Sequence, residues 1–188
     1  NILPDHFDGT VLGFIGGIKP KLDFDLIREV AQKKREWLFL FVGPDGTNDH
    51  PEFKNLLTES NVFWTGSVAP SDVPKYMNLI DIGIMPLEDS DWSKGKCGLK
   101  ILQYMSVGKP TIADAVGVNT SIIDHGNNGF LTHSLDDWEK YIELVVKEYE
   151  TNMLAEMGML AEQKLQNEYS LQVHVSRLKE VIDKVALS

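Results

Sequence analysis

Lys94-Gly95-Lys96-Cys97-Gly98-Leu99-Lys100-Ile101-Leu102-Gln103-Tyr104-Met105-Ser106-Val107-Gly108-Lys109-Pro110 reads as a basic glycine loop that runs into a helix. Gly108 and Pro110 stop that helix, and the apolar run Thr111-Ile112-Ala113 follows as a strand. A helix start carries N–H groups without intrahelical acceptors and about half a positive charge. Lysines set on it make a receptor for an anion such as phosphate. In a chain of net charge −10, Lys94, Lys96 and Lys100 are a local reversal of sign. At about 100° per residue, Lys96, Lys100, Gln103 and Val107 share one stripe, and Gly98, Ile101, Leu102 and Met105 lie opposite. The apolar side suits docking on a sheet and the polar stripe suits a crevice, although a solvated helix face has the same spacing.

Outward from this stretch, short apolar runs alternate with helical patterns. Strands are predicted at Val11–Ile15, Trp37–Val42, Val62–Trp64, Asp81–Pro86, Thr111–Ala113 and Phe130–Leu131. Helices are predicted over Asp23–Lys34, Pro51–Leu57, a segment capped by Ser71 or Asp72 and carrying Val73, Tyr76, Met77 and Ile80, and Thr120–Asp124. Three amphipathic helices follow, at Leu135–Tyr149, Asn152–Tyr169 and Ser170–Val185. Continuous apolar runs separated by helices imply an α/β fold, a doubly wound parallel sheet of six strands with extra C-terminal helices. Ligands bind such sheets at the carboxyl ends of the strands. Here those ends hold Gly16-Gly17, Gly43-Pro44, Gly66-Ser67, Pro86-Leu87 and the loop Asp114–Asn119. The segment Glu88–Gly95 is the longest polar loop and is expected to be the most mobile.

Composition bounds the function. A length of 188 residues, 43% apolar and 24% charged, suits one domain: an α/β core over about residues 9–134 and helices over 135–188. The acidic balance leaves no broad basic surface for nucleic acid. A single cysteine, Cys97, rules out an intrachain disulfide, fits a reducing compartment, and is expected to fill a tight turn. No apolar run approaches the ~20 residues of a membrane span. Residue 1 is Asn, so the chain is expected to start inside a longer product. Gly13-Phe14-Ile15-Gly16-Gly17 departs from the dinucleotide fingerprint, and no Walker A motif occurs. His6, His50, His125, His133 and His174 are scattered, so no metal ligand set is predicted. Trp92 either stacks on a sugar or packs into the fold, with packing the expectation.

The stretch GLKILQYMSVGKPTIA, residues 98–113, resembles the signature of the group 1 glycosyltransferases. GFIGGIK, FLFVGPDG, VFWTGSV, GVNTSII and GNNGFL agree with it, and the resemblance covers about residues 10–150. It implies the C-terminal, donor-binding half of a GT-B fold, two Rossmann-like halves facing across a cleft. The implied reaction moves a sugar from a nucleoside diphosphate to an acceptor hydroxyl, with retention and without metal or other cofactor. By the resemblance, Lys100 lies at the donor diphosphate and is the candidate catalytic residue. Gly98 and Leu99 offer it backbone N–H groups, Lys96 adds charge, and Gly16 and Gly17 form a glycine loop beside it. Gly43, Gly66, Ser67 and Val68 line base and ribose, and Gly117, Val118 and Asn119 close over sugar and phosphate. The implied partners are a nucleoside-diphosphate sugar and a saccharide or lipid-linked acceptor held by an N-terminal half absent from this chain. The implied place is the cytoplasm, with a peripheral site on the inner membrane face open to the longer protein.

Three positions depart from the family pattern. Many members carry two glutamates eight positions apart, the first on the donor sugar and the second on the ribose; here these are Gly95 and Gln103. A charge-assisted hydrogen bond contributes ~1.5–3 kcal/mol against ~0.5–1.5 for a neutral one, so Gln103 weakens that contact without abolishing it. Gly17 stands where many members have a phosphate-binding arginine, a loss that Lys19, Lys96 or Lys100 could offset. The same departures suit a second reading, a non-catalytic nucleotide-sugar-binding or interaction module. A third, a GT-B sugar-nucleotide epimerase, lacks an acid–base pair.

Overall fold

A computed structural model describes residues 7, 9–147 and 152–186. Six parallel strands, β1 (Val11–Ile15), β2 (Leu38–Val42), β3 (Val62–Trp64), β4 (Ile82–Met85), β5 (Thr111–Asp114) and β6 (Gly129–Thr132), form one sheet in the order β3-β2-β1-β4-β5-β6. The order reverses between β1 and β4, so the crevice of a doubly wound sheet opens there. Both faces are covered, which is why β1 and β2 are buried along their whole length. Leu12, Phe14, Phe39 and Phe41 point to the side of α1 (Phe24–Lys33) and α2 (Pro51–Leu56). Val11, Ile15, Leu38, Leu40 and Val42 point to the side of α3 (Val73–Leu79) and Tyr104.

The predicted elements appear within a few residues of their expected ends, with four differences. The chain enters α3 through a 3₁₀ turn, Pro70–Asp72, and Asp72 stands at the N-cap as expected, but its side chain accepts no helix N–H. The Asp72 carboxylate instead accepts a hydrogen bond from Lys75 at 2.6 Å. The polar segment folds into a short helix, α4 (Asp91–Lys94), because the Ser90 hydroxyl accepts the Ser93 N–H. The helix predicted over Thr120–Asp124 starts and ends earlier, as α6 (Asn119–Ile122). The helix predicted over Leu135–Tyr149 is described as α7 (Leu135–Lys147), and its last predicted residues lie outside the described ones. Trp138 and Ile142 of α7 are fully buried, and Lys33 of α1 and Lys34 at its C-cap pair with Glu139 and Glu143, so α7 is a covering layer of the sheet.

The lysine-bearing helix is α5 (Leu99–Met105). Past it, α8 (Met153–Lys164) buries Met157, Gly158 and Ala161, and Gly158 abuts the Gly108 carbonyl at the end of α5. A π-helical turn, Leu165–Tyr169, leads to α9 (Leu171–Ala186), whose apolar residues Leu171, Val175, Leu178 and Ile182 stay at the surface.

Candidate donor site

β1 and β4 pair only at Leu12–Ile82 and Gly13–Gly83, then part. The Ile15 N–H, facing the gap, donates to the Tyr104 hydroxyl at 2.9 Å. Tyr104 is wholly buried, and its ring fills the space a side chain at Gly83 would occupy. It thereby seats α5 over the split end of β1. A mid-strand glycine such as Gly83 is the sequence signal for such a close approach, and the wheel of α5 places Tyr104 between the polar stripe and the apolar face.

One turn before Tyr104, Lys100 reaches back across Gly16. The residue has φ +140°, which favours glycine, and a Cβ there would stand 2.4 Å from Lys100 Cε, so any side chain would also push the lysine aside. The amine lies 5.3 Å from the Phe14 ring centroid. Gly43 abuts the Gly16 carbonyl and donates its N–H to the Gly66 carbonyl at 3.0 Å. Gly16, Gly43 and Gly66 therefore form one row along the carboxyl ends of β1, β2 and β3.

Beside this row a cavity of about 950 Å³ opens at the strand ends. Its wall includes Lys19, Lys21, Trp92, Gly95, Lys96, Cys97, Gly98, Leu99 and Lys100. Burial, then the nearby Lys96 and Lys19, hold the Lys100 amine below the ordinary lysine range. Burial, then Lys19, does the same to Lys96. Among the described residues neither amine has a carboxylate partner, and nor does Lys19. Gly98 caps α5 in the left-handed conformation, φ +66°, and its carbonyl accepts the Ile101 and Leu102 N–H groups. The N–H groups of Leu99 and Lys100 belong to the first turn, where no intrahelical acceptor exists. Unmatched ammonium groups and free amides on one wall form a receptor for a multiply charged anion, and they act most strongly where burial excludes water.

Of the residues singled out in the sequence, Lys96, Gly98, Leu99 and Lys100 line the cavity, with Gly16 and Gly17 next to it. Gly43 and Gly66 continue the glycine row; Ser67 is exposed beyond it, and Val68 packs against the α3-side core. Gln103 is exposed one turn beyond Lys100, and Val107, grouped with it by the wheel, packs into that same core. Gly117 lies against the Lys94 carbonyl, and Val118 against Gly98. Asn119 is buried and spends its amide on the Asp114 carbonyl at 3.0 Å, so its side chain braces the loop.

Three expectations change. Lys94 is no part of the wall; it pairs with Asp89 at 3.0 Å, and Lys19, from the loop after β1, takes its place. Trp92 does not pack: it is 72% exposed, and Cys97 is exposed rather than filling a turn. Asp114 is a structural group that the sequence reading did not single out. Its carboxylate accepts from the Leu87 N–H (2.7 Å), Trp138 Nε1 (2.9 Å) and the Thr132 hydroxyl (3.0 Å), while burial pushes its pKa up.

Comparison with known proteins places this geometry. The model of the family "Glycosyl transferases group 1" matches residues 9–150. Over 105 residues the chain is 52% identical to TuaH of Bacillus subtilis (strain 168), a candidate teichuronic acid biosynthesis glycosyltransferase; the match covers 56% of this chain and 26% of TuaH. HepE (Alr3699) of Anabaena, solved in complex with UDP and glucose, superposes with a TM-score of 0.76 at 20% identity, over 94% of this chain and 48% of HepE. The C-terminal domain of LpcC, a group 1 family protein of Francisella tularensis, superposes with a TM-score of 0.72 at 17% identity, over 86% of this chain and 87% of that domain. At such identities the likeness to the two structures is one of fold. The chain spans about a quarter of the length of TuaH and about half that of HepE. Because the family model takes in the whole sheet, the glycine row and the lysine-bearing helix, the chain belongs to the group 1 glycosyltransferases.

Proposed function

We propose that this chain is the donor-binding half of a glycosyltransferase that moves a sugar from a nucleoside diphosphate to an acceptor hydroxyl. The observation that carries the reading is the convergence of Lys96, Lys100 and the first-turn amides of α5 on one cavity at the strand ends. In the transition state, negative charge grows on the departing diphosphate. Fixed ammonium groups and N–H dipoles aimed at that charge lower the barrier without any proton having to move. This supports a reaction in which lysines and amides, rather than a metal, neutralise the leaving group. Retention at the anomeric carbon is carried over from the family resemblance. UDP is the first nucleotide to test, since HepE was solved with it.

In this reading a second, acceptor-binding half completes the cleft and holds a saccharide or lipid-linked acceptor. The assembled enzyme works in the cytoplasm, on activated sugars. Among the described residues no helix is long and apolar enough to cross a membrane.

Titration calorimetry with UDP, GDP and their sugars tests the site. The chain is expected to bind one nucleotide series, and Lys100→Ala to weaken it about tenfold or more, the loss of one charge-assisted contact. Unchanged affinity in that variant removes Lys100 from the site. The chain by itself is expected to transfer nothing; transfer by it would overturn the two-half reading.

A further inference from the structure

The charges on the cavity wall do not balance. Among the described residues it carries four lysines, Lys19, Lys21, Lys96 and Lys100, and one carboxylate, Asp91. Lys21 is met by Glu88 at 3.5 Å, and Asp91 by Lys94 at 3.9 Å. The ammonium groups of Lys19, Lys96 and Lys100 are left without a counter-charge. They stand close enough to act on one another: Lys96 and Lys19 both disfavour the charged form of Lys100, and Lys19 that of Lys96.

The backbone fixes where they stand. Lys19 lies over Gly46 in the loop after β2, where a Cβ would come within 2.5 Å of its amine. Lys100 lies over Gly16 at the end of β1. Lys96 precedes Gly98, which lies against Val118 and Ile122 beyond β5. Segments spread over the strand ends from β2 to β5 thus bring three cations to one space.

A nucleoside diphosphate joined to a neutral sugar is a pyrophosphate diester, with one negative charge on each phosphate. Two ammonium groups balance it, and a third is left to attract any further negative charge on the same ligand. Half-burial of Lys96 and Lys100 strengthens that attraction over its value in open water. The first-turn amides of α5 add to the surplus. With Asp91 turned to Lys94, the wall offers no other carboxylate to accept hydrogen bonds from a neutral sugar or to repel an acidic one.

We propose that the transferred sugar is acidic, a hexuronate whose carboxylate supplies the third negative charge of the donor. This preference rests on the donor-site reading above and adds to it the charge class of the donor. It belongs to the set of three ammonium groups, because loss of any one removes the surplus. A uronate carboxylate is ionised at neutral pH, and the neutral parent sugar differs from it only at the terminal carbon. The attraction is Coulombic between partly solvated charges, so it weakens as salt rises.

UDP, UDP-glucose, UDP-glucuronate, UDP-galactose and UDP-galacturonate are titrated calorimetrically at neutral pH into the full chain, Lys19→Gln and Lys96→Gln, at low and at high salt. In the unaltered chain at least one uronate is expected to bind about fivefold tighter than its neutral parent at low salt. High salt should shrink that ratio, and each substitution should bring it to within about twofold of unity. Uronates that bind no tighter than their parents overturn the acidic class, even if free UDP binds tighter than all four; the third ammonium then serves the charge born on the departing diphosphate. A preference that survives both substitutions overturns it as well. Should the chain take GDP in place of UDP, GDP-mannose and GDP-mannuronate form the pair. Absence of binding by UDP and GDP alike overturns the donor site as a whole.

Discussion

Lys100 holds a charge where burial disfavours it and where Lys96 and Lys19 repel it. The chain tolerates this without a carboxylate partner among the described residues, an arrangement that stores affinity for an incoming anion. The sign of the pH dependence follows. A diphosphate stabilises the protonated amine, so binding draws Lys100 back toward the ordinary value of 10.5. Protons are therefore taken up on binding in alkaline buffer, and UDP affinity should fall as pH rises through the lowered pKa, before an ordinary lysine would titrate. Calorimetry in buffers of different ionisation enthalpy measures the uptake. Lys100→Arg, charged throughout, should reduce it to the share that Lys96 supplies and hold affinity to higher pH. Trp92 and Cys97 teach the complementary point at this scale: residues expected to fill space are displayed on the wall instead.

At the scale of the element, α5 is positioned by Tyr104 more than by its own helical propensity. Seven residues are too few for a helix to stand alone. The ring under Gly83 and the hydroxyl on the Ile15 N–H dock it at the split between β1 and β4. Tyr104→Phe keeps the ring and leaves that N–H buried without an acceptor, at a cost of about 1–3 kcal/mol. Urea unfolding should show a lower midpoint at an unchanged slope; a midpoint equal to that of the parent would mean the hydroxyl anchors nothing. The helix period correctly assigned Ile101 and Met105 to the core and Lys100 to the crevice. It could not foresee Tyr104, because nothing local states that two parallel strands part company above Gly13.

For the whole molecule, two half-buried carboxylates shape the stability curve. Asp114 and Asp23 are both pushed above the ordinary 3.8, chiefly by burial, and Asp23 further by Glu88 and Asp25. With a raised pKa the folded chain binds more protons than the unfolded one between 3.8 and the shifted values, so stability rises as pH falls through that window. Relief of repulsion in a chain of net charge −10 acts in the same direction. Glu59 opposes it at lower pH. Its carboxylate, held below 4.5 by the Gln32 hydrogen bond and then by Arg28, supplies stability that disappears as it protonates. Asp45 acts likewise, its carboxylate held below 3.8 by the hydroxyl and then the N–H of Thr47, so the thermal midpoint should climb on mild acidification from neutral pH, then fall once Glu59 and Asp45 are protonated. A midpoint that declines steadily from pH 7 would contradict this balance.

What the sequence determined alone is the alternation of strand and helix, and with it the parallel sheet and its ligand edge. Apolar runs buried on both faces, and glycine or proline at their ends, carry that information within ten or fifteen residues of themselves. Which cations share a cavity is settled by long-range packing instead. Periodicity gives a side chain's direction about its own axis, and not what stands opposite. Lys94 turns to Asp89, and Lys19 arrives from the far side of the sheet's switch point to face Lys96, because strand order brings together segments that the chain keeps apart.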